Sequence, residues 1–295
     1  MTLAMSSDGY LYCWKAGSLD EYVKLIKSKI ILAENDRLYY RGLSRKSYNL
    51  SPSIDRMMNN KDKWLCKESR LIEFAEQTYR DIFDKEYPTL ILSNMQHYGI
   101  PTRMMDITGN AFVALFFACD YEDNDEDGKV VVFCGTPVTA YNPYSNIIAD
   151  SYRLINNAYT NLDTYLSLIN EQSYATRILY PNCEKKENFK SDTIRILSKP
   201  LIVDVGIINQ RQRNQDGKFI LFPNRIENEH ILNELVSIDN SSDMVKAEII
   251  IPKEIKKELR EQLRMVGITE SFIYPDDINK VLGDLKMDLM GEDIK

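Results

Sequence analysis

The sequence has few of the residues that build metal sites, and it lacks the usual phosphate-binding loops. It contains two histidines, and its five cysteines are scattered without a Cys-x-x-Cys pair. Because structural zinc needs closely spaced Cys and His ligands, we expect no metal and free thiols in a reducing compartment. Neither Gly-x-Gly-x-x-Gly nor Gly-x-x-x-x-Gly-Lys-Ser/Thr occurs, so the sequence signatures of Rossmann and P-loop nucleotide sites are absent.

The chain also lacks a basic overall charge and long apolar runs. Its 37 Lys and Arg against 44 Asp and Glu give a net charge of −7, which disfavours non-specific binding to nucleic acid. We find no run of about 18 apolar residues that would span a membrane. Residues 1–14 lack the basic start and apolar core of a signal peptide. We therefore expect a cytoplasmic protein with no membrane partner.

What the sequence does contain is the composition of an ordinary folded protein. Hydrophobic residues make up 44% and charged residues 27%, and the 18 Tyr and 10 Phe exclude a disordered chain. Helical and strand patterns are mixed without regular βαβ alternation. The predicted fold class is therefore α+β, with a small mixed or antiparallel sheet flanked by helices.

Local patterns predict most of the helices and strands. Ser18 and Glu21 form a capping box for a first helix, and Pro88 begins a helix that Gly99 ends. The run 111–119 is apolar on all sides, so it must be buried, and its Asn110 start favours a helix. The other predictions are strands at 37–43, 129–134, 201–205, 218–222 and 247–251; helices around 71–82, at 152–172, 252–267 and 278–289; loops at 174–199; and an extended stretch at 272–274.

Two segments carry polar residues that core packing does not require. Arg41 lies within an apolar strand, where a buried guanidinium needs an anion, either a ligand or an internal carboxylate. Residues 96–110 place many polar side chains between a helix end and the buried apolar run. That segment is either a ligand site or a hydrogen-bonded junction with Arg103 paired to Asp106. In the helix around 71–82, Glu68 is expected on a face away from the apolar stripe that includes Phe74.

These two segments resemble the FRG-domain family, named for an aromatic–Arg–Gly motif. The resemblance rests on Tyr40-Arg41-Gly42, on Leu50-x-Pro52-Ser53-x-x-Arg56 and on QHYGIPTRMMDITGNAFVALFFAC, with Ile107 where a Trp is common. It is strong over 37–120 and weaker at Arg213-x-Gln215-x-Gly217-x-Phe219 and in 267–276. It implies a helical lead-in at 1–36, an FRG core at 37–134, a partly helical insertion at 135–200 and the C-terminal half of the same domain at 201–295.

The aromatic–Arg–Gly strand is also similar to the first strand of ADP-ribosyltransferases of the Arg–Ser–Glu type. That resemblance implies a split sheet and a toxin or phage-defence effector that uses NAD as substrate and modifies a macromolecule. The implied partners are an antitoxin or other regulatory protein and a macromolecular acceptor. The polar, basic stretch 207–227 is either a local contact for an RNA or DNA acceptor or a solvated loop before a strand. The alternatives are a non-catalytic nucleotide-sensing module acting through a protein partner, and a purely structural interaction domain.

The resemblance also assigns roles to individual residues. Arg41 would clamp the pyrophosphate of NAD, and Asp106 would position the ribose or orient His97. Gln215 and Asp216 occupy the place of the third motif, but Gln215 cannot act as a base and Asp216 is outside the family pattern. Glu270 is therefore an alternative acid, with Asp276 after it. The expected catalytic residues are Arg41, His97, Asp106, Gln215 and Glu270, and the expected NAD-binding residues are Tyr40, Arg41, Gly42, Gln96, His97, Tyr98, Thr102, Arg103, Thr108 and Asn110.

Overall fold

The computed structural model describes residues 12–28, 37–57, 64–83, 87–120, 126–154, 159–172, 189–239 and 242–290. The strands are β1 Tyr12–Lys15, β2 Leu38–Leu43, β3 Met104–Thr108, β4 Gly128–Cys134, β5 Val138–Thr139, β6 Tyr159–Asn161, β7 Leu201–Asp204, β8 Gly217–Leu221, β9 Asn224–Glu227, β10 His230–Leu235 and β11 Val245–Ile251. The helices are α1 Leu19–Ile26, α2 Ser53–Met57, α3 Trp64–Thr78, α4 Arg80–Phe83, α5 Pro88–His97, α6 Ala111–Ala118, α7 Pro143–Leu154, α8 Leu162–Gln172, α9 Phe189–Leu197, α10 Gln210–Gln215, α11 Lys256–Met265, α12 Glu270–Ile273 and α13 Ile278–Met290, with a 3-10 turn at Lys253–Ile255.

Eight strands form one mixed sheet in the order β1-β11-β4-β2-β3-β8-β7-β5, and β6, β10 and β9 form a second, antiparallel sheet. The two edge strands β1 and β5 run parallel to their neighbours, and the other pairs in the large sheet are antiparallel. The predicted α+β class with a mixed sheet is confirmed. The sheet is larger than expected because edge strands of four and two residues are too short to show a strand pattern.

The large sheet is weakly joined at its centre, between β2 and β3. These strands share the residue pair Tyr40–Thr108, whereas β2 and β4 share six pairs. Continuing the antiparallel register would place Gly42 opposite Asp106. Instead, the main-chain oxygen of Asp106 accepts a hydrogen bond from the Arg41 side chain. The two halves of the sheet therefore separate from the Tyr40–Thr108 pair towards Gly42 and Asp106, and the gap holds the Arg41 guanidinium.

One face of this sheet is covered by two separate helical layers. On the β2 side, Tyr40 and Val132 belong to a buried cluster that includes α6 and α11. On the β3 side, Met104 and Leu221 belong to another cluster that includes α5 and α7. Asp106 lies on the same face as Met104 because strand side chains alternate, yet it is exposed. The space between the two layers is therefore open to solvent at the centre of the sheet.

Helix α6 packs directly against β2, and Gly42 makes this contact possible. A Cβ atom on Gly42 would lie 1.8 Å from the main-chain oxygen of Ala114. The helix begins at Asn110, whose side chain accepts a hydrogen bond from the Phe112 amide at 2.9 Å. The predicted buried helix is confirmed, and the glycine of the aromatic–Arg–Gly motif is explained by the approach of a neighbouring backbone.

Most other predicted elements are also confirmed. Ser18 caps α1 as expected, Pro88 begins α5, and Gly99 adopts a left-handed φ of +78° after it. Three predictions were wrong. The predicted helix 152–172 is two helices interrupted by β6, residues 189–197 are helical rather than a loop, and 270–273 is a short helix rather than an extended stretch. The rest of the predicted loop, 174–188, lies outside the described residues.

Candidate functional site

Two adjoining cavities open where the sheet separates. One has a volume of about 160 Å³ and the other about 100 Å³, and both are lined by Asp106, Ile107, Arg211 and Gln215. The larger is also lined by Tyr40, Arg41, Gly42, Thr108 and Phe117. The smaller is also lined by Ser93, Gln96, His97, Ile208, Asn209, Gln212, Gly217, Lys218 and Phe219. Strands β2, β3 and β8 and helices α5, α6 and α10 therefore all contribute to one polar recess.

Arg41 is the buried cation of the larger cavity. One of its terminal nitrogens donates to the main-chain oxygen of Asp106, while its Nε is shut off from solvent without any hydrogen-bond partner. Burial lowers the pKa of Arg41 to about 10; the Asp106 charge opposes this shift, and the Arg56 charge adds to it. The side chain thus stays protonated at neutral pH. Among the described residues no carboxylate forms an ion pair with Arg41, so its charge is left for a ligand.

Asp106 is held in a fixed position by a chain of hydrogen bonds. Gln96 donates from Nε2 to Oδ2 of Asp106 at 3.0 Å. The Thr102 hydroxyl donates to Oε1 of the same Gln96 at 2.8 Å, and the Ser53 hydroxyl donates to it at 3.3 Å. Because both hydroxyls occupy the amide oxygen, the amide nitrogen must point to the carboxylate. Gln96 therefore orients the exposed carboxylate of Asp106 at the edge of the cavity.

Helix α10 brings Gln215 to the cavity from the far side of the sequence. The main-chain oxygen of Gln215 accepts a hydrogen bond from the Thr108 hydroxyl, which ties the helix to the end of β3. The side-chain amide of Gln215 donates to the main-chain oxygen of Ile273 at 2.9 Å. Gln215 thus connects the cavity to α12 and contributes an amide, not an acid, to the cavity lining.

The structure brings eight of the expected residues together around the two cavities: Tyr40, Arg41, Gly42, Gln96, His97, Asp106, Thr108 and Gln215. They come from β2, α5, β3 and α10, which are far apart in the sequence. The other five lie outside the cavity lining, each with a partner of its own: Tyr98, Thr102, Arg103, Asn110 and Glu270.

Arg103 lies in an internal ion pair and lines neither cavity. It is fully buried, and it makes a two-pronged ion pair with Glu68, with distances of 2.9 Å from Nε and 2.5 Å from a terminal nitrogen. Its remaining nitrogen donates to Ser151 at 2.6 Å and to Asn224 at 2.8 Å. The expected pairing of Arg103 with Asp106 was therefore wrong. The prediction for Glu68 was also wrong. Glu68 is fully buried, whereas Phe74 of the predicted apolar stripe is exposed. The error arose because an acidic residue within a helix is normally solvated.

Local contacts also explain the other four residues. Thr102 is fully buried and uses its hydroxyl on Gln96, and Asn110 caps α6. Tyr98 is 58% exposed, and its ring packs edge-to-face against Phe83. Glu270 pairs with Arg260 and lies 3.6 Å from Lys280, so two cations already neutralise its carboxylate.

Arg211 and Phe117 line the larger cavity although neither was expected there. Arg211 belongs to the polar stretch 207–227, which the sequence analysis linked to nucleic acid. Two other cations of that stretch have acidic partners: Lys218 lies 3.4 Å from Asp216, and Arg225 pairs with Glu227. The sequence did not indicate that Phe117 lines a cavity, because every aromatic residue of an apolar helix is expected to be a core residue.

The family comparison identifies the segment that carries this site. The FRG-domain family model matches residues 36–127. The chain contains an FRG domain. The matched segment supplies β2, α5, β3 and α6, so the FRG domain contributes Arg41 and Asp106 to the cavity, while α10 lies beyond the match. No curated protein and no solved structure matches the chain.

The part of the chain that the structure describes contains no helix with the length and apolar character needed to cross a bilayer. It also contains no group of three or more His, Cys, Asp or Glu side chains placed to hold a metal ion.

Proposed function

We propose that the FRG-domain chain binds NAD in the recess between β2, β3 and α10 and transfers ADP-ribose from it to a macromolecule. The observation that carries this proposal is the state of Arg41, which lines a cavity beside a fixed carboxylate. Arg41 is a half-buried cation with which no carboxylate of the described residues forms an ion pair. The similarity of the aromatic–Arg–Gly strand to the first strand of ADP-ribosyltransferases supports the same conclusion.

The charge of Arg41 favours a phosphate ligand. Taking a guanidinium out of water is costly unless an anion compensates it, and one main-chain carbonyl supplies only a partial charge. The planar fork of arginine matches two phosphate oxygens at once, so the remaining donors of Arg41 suit the pyrophosphate of NAD. Each charge-assisted hydrogen bond contributes about 1.5–3 kcal/mol.

The position of Asp106 supplies the second half of the chemistry. In the transfer, the bond between the ribose carbon and the nicotinamide nitrogen breaks, and its electron pair neutralises the positive ring. The ribose passes through an oxocarbenium-like state, as in glycoside cleavage, and the acceptor attacks the same carbon. Asp106 lies at the shared wall of both cavities, where its carboxylate stabilises the developing positive charge and accepts the proton that the acceptor loses.

A second candidate is a non-catalytic module that binds a nucleotide and signals to a protein partner. It is favoured by the scarcity of acids, because Asp106 is the one carboxylate among the described residues that line the cavities. Glu270, the other expected acid, is neutralised elsewhere by Arg260. In this case Arg41 and Asp106 would recognise the ligand without breaking a bond.

The two candidates differ in whether nicotinamide is released. The purified full chain is incubated with labelled NAD, and free nicotinamide and labelled macromolecules are measured together with the melting temperature. For the transferase we expect release by the wild type and its loss in Arg41→Gln, together with loss of any NAD-induced rise in melting temperature. Asp106→Asn should still bind NAD, but its release rate should fall by about 100-fold or more, the usual contribution of a general base.

Arg213→Gln is the matched control, because Arg213 is exposed and lines neither cavity. A melting shift with NAD but no release from any acceptor mixture would support the sensing module instead. Wild-type binding of NAD by Arg41→Gln would contradict both candidates. The proposal also includes a macromolecular acceptor and a role as a toxin or defence effector whose activity a partner protein restrains.

A further inference from the structure

Arg211 is a second cation at the recess, and its charge is also left without an acidic partner. It lines both cavities, and among the described residues no carboxylate pairs with it. Its guanidinium lies over the Tyr274 ring, 4.9 Å from the ring centroid. An aromatic ring attracts a cation without neutralising it, so this contact fixes Arg211 and preserves its charge.

The segment that holds Arg211 is itself tied down. Helix α10 donates two side-chain hydrogen bonds to the main chain of α12: from Asn214 to Phe272 at 2.8 Å and from Gln215 to Ile273 at 2.9 Å. Tyr274 follows directly, and its ring packs edge-to-face against Phe117 with centroids 6.3 Å apart. The C-terminal segment 270–274 therefore positions Arg211 relative to the wall of the larger cavity.

Arg211 and Gln215 are four residues apart, so they lie on the same face of α10 and meet the cavity together. Arg41 reaches the larger cavity from β2, which is a different wall. Two arginines from separate elements thus face a recess whose described lining holds one carboxylate, that of Asp106. The excess positive charge suits a ligand with two adjacent anionic groups.

We infer that the recess recognises a diphosphate ester, with Arg41 holding one phosphate and Arg211 the other, and that Tyr274 positions Arg211 for this contact. This inference rests on the proposed function, since it assigns the second phosphate of the same nucleotide to a residue outside the matched FRG segment. A guanidinium binds phosphate oxygens through a planar fork of donors. Removing Arg211 should therefore reduce selectivity for a diphosphate over a monophosphate.

The test uses ADP and AMP as probes, with affinities measured by calorimetry on the full chain. We expect the wild type to prefer ADP over AMP, and Arg211→Gln to weaken ADP binding about tenfold while AMP binding changes little. Arg211→Lys should recover part of the ADP affinity because it keeps the charge. Tyr274→Leu should lower the ADP-to-AMP preference and Tyr274→Phe should retain it, because a phenyl ring still attracts the cation.

Arg213→Gln again serves as the control on the same helix. The inference is overturned if Arg211→Gln and Arg213→Gln weaken ADP equally, if the wild type fails to prefer ADP, or if Arg211→Gln lowers ADP and AMP affinity to the same extent. Nicotinamide release measured in parallel separates the two proposals. If ADP binding depends on Arg211 but no nicotinamide is released, the transferase is refuted and the diphosphate site is retained. If nicotinamide is released at the same rate with and without Arg211, the transferase is retained and the diphosphate site is refuted.

Discussion

The buried ion pair between Glu68 and Arg103 allows a quantitative test of how the site is supported. Both side chains have no solvent exposure, and the pair ties α3 to the start of β3, the strand that carries Asp106. In Glu68→Gln the shape of the side chain is kept, but the guanidinium of Arg103 loses the carboxylate that binds two of its nitrogens. The remaining contacts of Arg103 with Ser151 and Asn224 are to neutral groups.

The expected cost is large because the remaining charge cannot reach water. Removing one partner of a buried pair costs about 3–5 kcal/mol, and whole proteins are stable by only about 5–15 kcal/mol. Replacing both residues, as in Glu68→Leu with Arg103→Met, removes the uncompensated charge. The double variant should therefore be more stable than Glu68→Gln, although Ser151 and Asn224 lose a hydrogen-bond partner.

Urea unfolding followed by circular dichroism measures these differences through the transition midpoint. Asp20→Asn is the matched control, since it also converts a paired carboxylate to an amide. Its pair with Lys24 is exposed, with 71% of each side chain accessible, so the substitution should leave the transition midpoint nearly unchanged. A loss below about 1 kcal/mol in Glu68→Gln would falsify the assignment of Arg103 as a structural residue, and a role at a ligand would then have to be reconsidered.

Two other substitutions test the packing and the ionic contacts. Gly42→Ala should destabilise the chain by about 1–3 kcal/mol because the added Cβ overlaps the backbone of α6. Gly283→Ala is the control: its Cβ meets open space, so the substitution should be neutral or stabilising. Equal effects of the two substitutions in urea unfolding would contradict the close packing at Gly42. Burial alone would raise the pKa of Asp284, but hydrogen bonds from Ser271 and Arg264 outweigh the effect of burial and hold the pKa below its usual value. The stability that the ionised carboxylate provides is present above about pH 4 and is lost as the pH falls through the folded-state pKa. Asp284→Asn should therefore lower the free energy of unfolding by about 1–2 kcal/mol at pH 7 and by progressively less below pH 4. Asp276 is exposed, so Asp276→Asn is the control substitution in the same measurement.

The sequence located the site but did not distinguish its parts. Arg41 and the segment 96–110 were identified because polar residues in an apolar context need partners. Asp106 has its partner in Gln96, whereas no carboxylate among the described residues pairs with Arg41. Within that segment, however, Arg103 is buried in an ion pair and Asp106 is exposed at the cavity. Their partners are distant: Glu68 lies 35 positions before Arg103, and no local pattern records such a pairing.

Local patterns by themselves determined the helix caps, the strands of the sheet centre and the buried helix α6, because these depend on neighbouring residues along the chain. Only the tertiary structure decided that β2 and β3 separate between Gly42 and Asp106 and that Arg211 of α10 shares the opening with Arg41. Strand divergence depends on what each half of the sheet packs against. Those packing partners are spread from α5 to α11, so their combined effect cannot be predicted from any single segment of the sequence.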